Sequence, residues 1–177
     1  PETTIFEELG VAHGAARVDI AVVNGIMHGY EVKSDLDTLR RLPEQMNIYN
    51  LVFDQVTLVV GQTHLHEAIK LVPDWWGIKI AKIADFGNAV SFSNIREAEE
   101  NPDQDNIAIA GLLWREEALN ILEEIGQANG VRSKPRKAIY ERLVEVLDSK
   151  TLKAKVREHL RFRINWRSDA QLMLSGG

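Results

Sequence analysis

Hydrophobic and polar positions divide the chain into two regimes. Arg17–Val23 ("RVDIAVV") alternates in part and is rich in Val and Ile, which predicts a strand. Asn24-Gly25 follows as a hairpin signal, and His28–Lys33 ("HGYEVK") is the expected return strand. From Asp37 to Leu51 the apolar spacing turns helical, with Leu39, Leu42 and Met46 at intervals of three and four. Pro43 suits the first turn of a helix starting nearer Leu42, or a kink, and Asp35 or Asp37 is the expected N-cap. Gln55–Val60 is a near-continuous apolar run, as in a central buried strand. A short helix at His64–Leu71 and strands at Gly77–Ala84 and Ala89–Phe92 complete this part. Arg96–Asn106 is polar and acidic and reads as an exposed linker. Beyond it, Ile107–Ile125, Pro135–Leu147 and Leu152–Ile164 all carry helical periodicity. The expectation is an α/β core over 1–95, a linker over 96–106 and a helical, basic module over 107–177.

Composition narrows the function classes. The 177 residues are 45% hydrophobic and 27% charged, ordinary for a folded domain. Cysteine is absent, which excludes disulfide scaffolds, thiolate zinc sites and thiol nucleophiles. No apolar run is long enough for a membrane helix, and "PETTIFEELG" lacks the features of a signal peptide, so a cytoplasmic location is expected. A start without Met suggests a processed or trimmed chain. The net charge of −5 hides a split. Residues 1–130 carry 9 Lys/Arg and 21 Asp/Glu, whereas residues 131–177 carry 12 Lys/Arg and 5 Asp/Glu. Such asymmetry points to an anionic partner.

The candidate chemistry lies in the predicted hairpin. Glu31 and Lys33 are two apart and leave one face of their strand, and the turn brings Asp19 toward Glu31. Two carboxylates and an ammonium form a hard, oxygen-rich cluster suited to Mg²⁺ or Mn²⁺ rather than zinc. Asp19 interrupts an apolar run, where a bare carboxylate is costly without a cation. The competing reading is a solvated edge pair, Glu31–Lys33, with Asp19 paired to Arg17 or Lys33.

Asp19 and "Glu31-Val32-Lys33", followed by Gln45 and Tyr49 as a Gln-xxx-Tyr motif, resemble the PD-(D/E)xK nuclease superfamily and its RecB-type members. The resemblance covers roughly residues 8–95. It implies a restriction-endonuclease-like α/β core, a mixed sheet flanked by helices. It further implies a nuclease that hydrolyses phosphodiester bonds, most of all in DNA, with a Mg²⁺-activated water. Asp19, Glu31 and the Val32 carbonyl would ligate the metal, with Glu8 on an N-terminal helix as an additional ligand. Lys33 would orient the water or stabilise charge, and Gln45 and Tyr49 would position the site. A non-catalytic nucleic-acid-binding or assembly module and a small-molecule phosphoryl hydrolase are the alternatives.

Other residues carry two readings each. Ser34 is a candidate phosphate contact beside Asp35 and Asp37, which also suit capping. His64-x-His66 lacks a third metal ligand. Trp75-Trp76 suits either base stacking or core anchoring. Arg132, Lys134, Arg136 and Lys137 surround a helix start and are candidate DNA-phosphate contacts, or else form a solvated face that packs on the core or on a second subunit. A homodimer is compatible with this pattern.

Overall fold

A computed structural model describes residues 2–84 and 89–175, with side chains described as far as residue 163. It divides into two compact units, Pro1–Gln104 and Asp105–Gly177. The chain is α/β, a six-stranded mixed sheet followed by helices.

In the first unit the strands lie in chain order: β1 (Thr4–Val11), β2 (Ala16–Val23), β3 (Met27–Lys33), β4 (Gln55–Val60), β5 (Gly77–Ile83) and β6 (Val90–Arg96). β1, β2 and β3 form an antiparallel meander, β3, β4 and β5 are parallel, and β6 is antiparallel. The meander turns tightly at Gly25, whose φ of 104° is open only to glycine at low cost. Parallel pairing needs crossovers, supplied by α1 (Leu42–Val52) and α2 (Leu65–Leu71). α1 packs on the face that carries Glu31, which its Gln45 and Tyr49 side chains reach. β4 is central, and Val56 to Val60 are all buried.

The structure corrects several boundaries. β1 carries no clear strand signal, and Glu8 explains why. Its φ is +54°, and both β1 and β2 change burial phase beside it. Phe6 and Val11 are buried although five apart, and Val18 and Ala21 although three apart. Strict alternation would put each pair on opposite faces. Of the two readings of Pro43, the first-turn one applies: α1 begins at Leu42, and neither Asp35 nor Asp37 nor any other side chain caps it. Asp35 and Asp37 serve the preceding loop instead. Asp35 Oδ1 accepts from the Thr63 backbone N–H (3.0 Å) and hydroxyl (2.6 Å), while Asp37 Oδ2 accepts from the Ser34 N–H (2.7 Å) and hydroxyl (2.8 Å). The acidic stretch expected as an exposed linker is tied to the first unit as far as Gln104. Asn101 is buried, donates to the carbonyls of Asn50 (2.7 Å) and Phe53 (2.8 Å), and its N–H reaches the Asp54 carbonyl (2.8 Å).

Gly61 lets the β3 and β4 loops meet. A Cβ there would fall 2.1 Å from Asp35 Oδ1 and 2.8 Å from the Asp35 backbone nitrogen. Backbone cannot swing aside, so Gly61→Ala is expected to lower stability by about 1–3 kcal/mol. The shift of the urea midpoint against wild type measures it.

The second unit contains α3 (Asn106–Ala110), α4 (Arg115–Glu124), α5 (Arg136–Val146) and α6 (Ser149–Ser175). The single helix expected over Ile107–Ile125 is two, separated by Gly111 to Trp114, where Leu112 and Leu113 are buried. Asp105 caps α3 by accepting from Ala108 N–H (2.7 Å), and Asp148 accepts from Thr151 N–H (2.9 Å) at the start of α6. Leu152, Val156 and Leu160, four apart, face the core of this unit with Ile121, Ile139 and Leu143. Among the described residues no helix is long and apolar enough to cross a membrane.

Candidate functional site

The β2–β3 ladder stops at Ile20–Tyr30, and the next step in register sets Asp19 opposite Glu31. The β1–β2 ladder skips the step between Glu7–Ile20 and Leu9–Val18, where Glu8 opposes Asp19. Three acidic positions therefore share one row, at the place where both ladders are interrupted. The strands splay there, and the Val32 N–H released from pairing donates to Asp19 Oδ2 (2.7 Å).

Glu31 is 2% exposed and is the most buried charged residue among those described in the first unit. Its Oε1 accepts from Gln45 Nε2 (2.7 Å) and Lys33 Nζ (3.0 Å), and its Oε2 lies 2.9 Å from the Tyr49 hydroxyl. Gln45 and Tyr49 reach it from one face of α1 because they are four apart. The Tyr49 hydroxyl also lies 2.8 Å from the Arg17 carbonyl, so one proton serves two acceptors. Burial, then the charge and hydrogen bond of Glu31, push the Tyr49 phenol far above its ordinary pKa and keep it a donor. The amide of Gln45 must turn its nitrogen to the carboxylate, which leaves Oε1 buried with no partner.

Asp19, Glu31, Lys33 and Gln45 line a polar cleft of about 510 Å³ together with Glu8, Arg17 and Arg41. Asp19, Glu31 and Lys33 are thus brought together as expected from their spacing; Val32 and Gln45, named from the resemblance, join them, and Tyr49 stands behind. Arg17 and Arg41 were not anticipated as cleft residues. The available signal was Arg17 two positions before Asp19 and Arg41 at the start of α1. Glu8 is corrected. It sits on a strand rather than a helix, is exposed, and leans toward Arg17 (3.8 Å).

The donor set for a cation is all oxygen: the two carboxylates, Gln45 Oε1 and the Val32 carbonyl, which leaves β3 on the same side as its N–H. That chemistry fits Mg²⁺ or Mn²⁺. Among the described residues no three His, Asp or Glu side chains converge on one point, so such a cation would keep several waters.

The other candidates fall elsewhere. Ser34 is engaged with Asp37 at the rim. His64 Nε2 lies 2.9 Å from the Asp37 carbonyl. Trp76 is fully buried and donates to Asn50 Oδ1 (2.8 Å), so of the two readings of the Trp pair core anchoring applies to it. In the second unit Arg132 is held by both carboxylate oxygens of Glu123 (2.5 and 2.9 Å) and by Asn129 (2.9 Å), and Lys137 pairs with Glu141 (3.9 Å). The backbone carbonyls of Arg132 and Lys134 accept from Arg115. Arg136 opens α5. Divided by structural unit, the second has 13 Lys/Arg against 10 Asp/Glu, a far milder excess than the tail alone suggests.

The description Bacteriophage P4 protein cII belongs to the family model that matches residues 1–175. Protein cII of Enterobacteria phage P4 is 27% identical over 157 residues, which is 89% of this chain. The chain spans 56% of the length of that relative. A protein of unknown function from Silicibacter pomeroyi superposes with a TM-score of 0.41 at 19% identity, covering 75% of this chain and 86% of the other. The family match runs the length of the chain and overturns the PD-(D/E)xK assignment, which rested on a few positions. The nuclease function falls with it. The chain belongs to the bacteriophage P4 protein cII family.

Proposed function

We propose that the cleft binds the phosphodiester backbone of nucleic acid, DNA foremost, through a divalent cation. The observation that carries this reading is Glu31. An ionised carboxylate buried this deeply needs compensation, and it is surrounded by one ammonium and two hydrogen-bond donors beside a second carboxylate, at the floor of an open cleft. Asp19, Glu31 and Gln45 Oε1 supply oxygen to a cation of the Mg²⁺ type. The cation supplies positive charge to a phosphate that the carboxylates would otherwise repel. Arg17 and Arg41 also line the cleft, and guanidinium groups grip phosphate oxygens. The proposal concerns binding, and bond cleavage forms no part of it.

Fluorescence anisotropy of a labelled DNA oligonucleotide, in Mg²⁺ and in chelator, tests it. Binding is expected to need the cation, to weaken with salt, and to fall at least about tenfold in Asp19→Asn and in Lys33→Met. Equal affinity in chelator and in both variants would remove the cleft from any role in binding. A matched RNA strand shows which polymer is preferred.

A further inference from the structure

The cleft adjoins a second hollow. Val32 and Lys33 line both, and the second, of about 480 Å³, lies at the carboxyl ends of β3, β4 and β5. Its floor is apolar. Val32 leaves β3 on the face opposite Glu31 and is paired in register with Val59, whose own neighbour on β5 is Lys79. Ala81 and Ile83, two and four positions further along β5, leave the same face. Val32 is 44% exposed and Ile83 77% exposed, so the floor meets solvent. At the amino ends of the strands the chain closes this face itself. A Cβ on Gly77 would fall 2.9 Å from the Ala98 backbone nitrogen, and Gln55 Nε2 donates to the Ala98 carbonyl (3.4 Å). The hollow is at the opposite end, beside the cleft.

Polar groups stand at its rim. Ser34 and Asp35 are spent on Asp37 and Thr63. Gln62 and Lys82 are exposed there, and Lys33 lies between the hollow and the cleft. An apolar floor with an amide at its edge and an ammonium on either side matches the chemistry of an unpaired nucleobase. The ring face covers the aliphatic side chains, the amide reaches the base edge, and the cations meet flanking phosphates.

We propose that this hollow takes the base of a nucleotide whose neighbouring phosphate is held in the cleft, which makes single-stranded DNA the preferred ligand. The inference rests on the reading of the cleft as a phosphodiester site. Two observations favour a base over another apolar group. The hollow is continuous with the cleft through Val32 and Lys33, and β3, the strand between them, is about 4.8 Å wide, one to two nucleotide steps of about 3.4 Å. Lys82 adds positive charge at the far side, where the next phosphate of the same strand would pass. A base in a duplex is covered on both faces by its neighbours, so it must leave the stack to lie on this floor.

Fluorescence anisotropy in Mg²⁺ compares a labelled single strand, the blunt duplex of the same sequence, and the same single strand with abasic residues along its centre. The abasic strand keeps every phosphate, so its deficit reports the bases alone. The intact strand is expected to bind at least about tenfold more tightly than either. Ile83→Gln and Gln62→Ala are each expected to reduce the preference for intact over abasic strand to about threefold or less, with far-ultraviolet circular dichroism unchanged. A duplex or an abasic strand bound as tightly as the intact strand would overturn the base site while leaving the cleft reading in place. A preference that survives both variants puts the base elsewhere and overturns it as well. Equal binding of every ligand in Mg²⁺ and in chelator overturns the cleft reading, and this inference with it.

Discussion

Replacing Glu31 with alanine is expected to lower the unfolding free energy by about 3–5 kcal/mol and to abolish cation-dependent binding. The loss comes from what is left behind. The Lys33 side chain is only 12% exposed and would be left without its counter-ion. Gln45 Nε2 would lose its acceptor beside an Oε1 that already lacks a partner. Tyr49 would retain the Arg17 carbonyl. This account makes a second claim that packing alone does not. Breaking a buried pair is costlier than replacing both members by apolar residues. Lys33→Met in the Glu31→Leu background should therefore regain part of the stability that Glu31→Leu loses. Urea unfolding of the two single variants and the double variant measures the coupling. Simple additivity would show that the ammonium and carboxylate act independently.

Trp76→Ala is expected to cost about 3–5 kcal/mol, the range for removing a fully buried aromatic side chain. Trp76 has no exposed surface, stacks 6.4 Å from Tyr49 and meets Trp75 edge-on at 6.1 Å. Its loss opens a cavity behind the side chain that steadies Glu31 and strands Asn50 Oδ1. Trp75 is half-buried, so Trp75→Ala is expected to cost clearly less. Parallel urea titrations compare the two. Equal losses would mean that the pair, rather than Trp76 alone, anchors this side of α1.

Sequence reading succeeded where chemistry is local. The Asn24-Gly25 turn, the β2 and β3 strands, and the apolar run of β4 each declare themselves within a few residues. Asp19, Glu31, Lys33, Gln45 and Tyr49 come together because turn geometry and helix periodicity relate them at short range. β1 escaped notice because a left-handed residue shifts its alternation, so no period-two pattern survives. The stretch ending at Gln104 looked like a linker because its polarity suggested water. Its asparagine and glutamine side chains are instead spent on carbonyls at the end of α1. In the basic tail, Arg132 and Lys155 pair with Glu123 and Glu124, which precede it in the chain. The functional resemblance failed for another reason. A buried carboxylate held by a lysine, an amide and a phenol is a packing solution that different proteins can share, and a fold or motif does not name a reaction.

Glu8 carries one more consequence. A left-handed backbone costs an ordinary residue on the order of 1–2 kcal/mol and glycine almost nothing. Glycine would adopt this backbone at position 8 at almost no conformational cost. A glutamate stands there instead, and its weak pairing with Arg17 at an exposed site repays little of the cost. The strained residue is at the same time one of those that line the cleft.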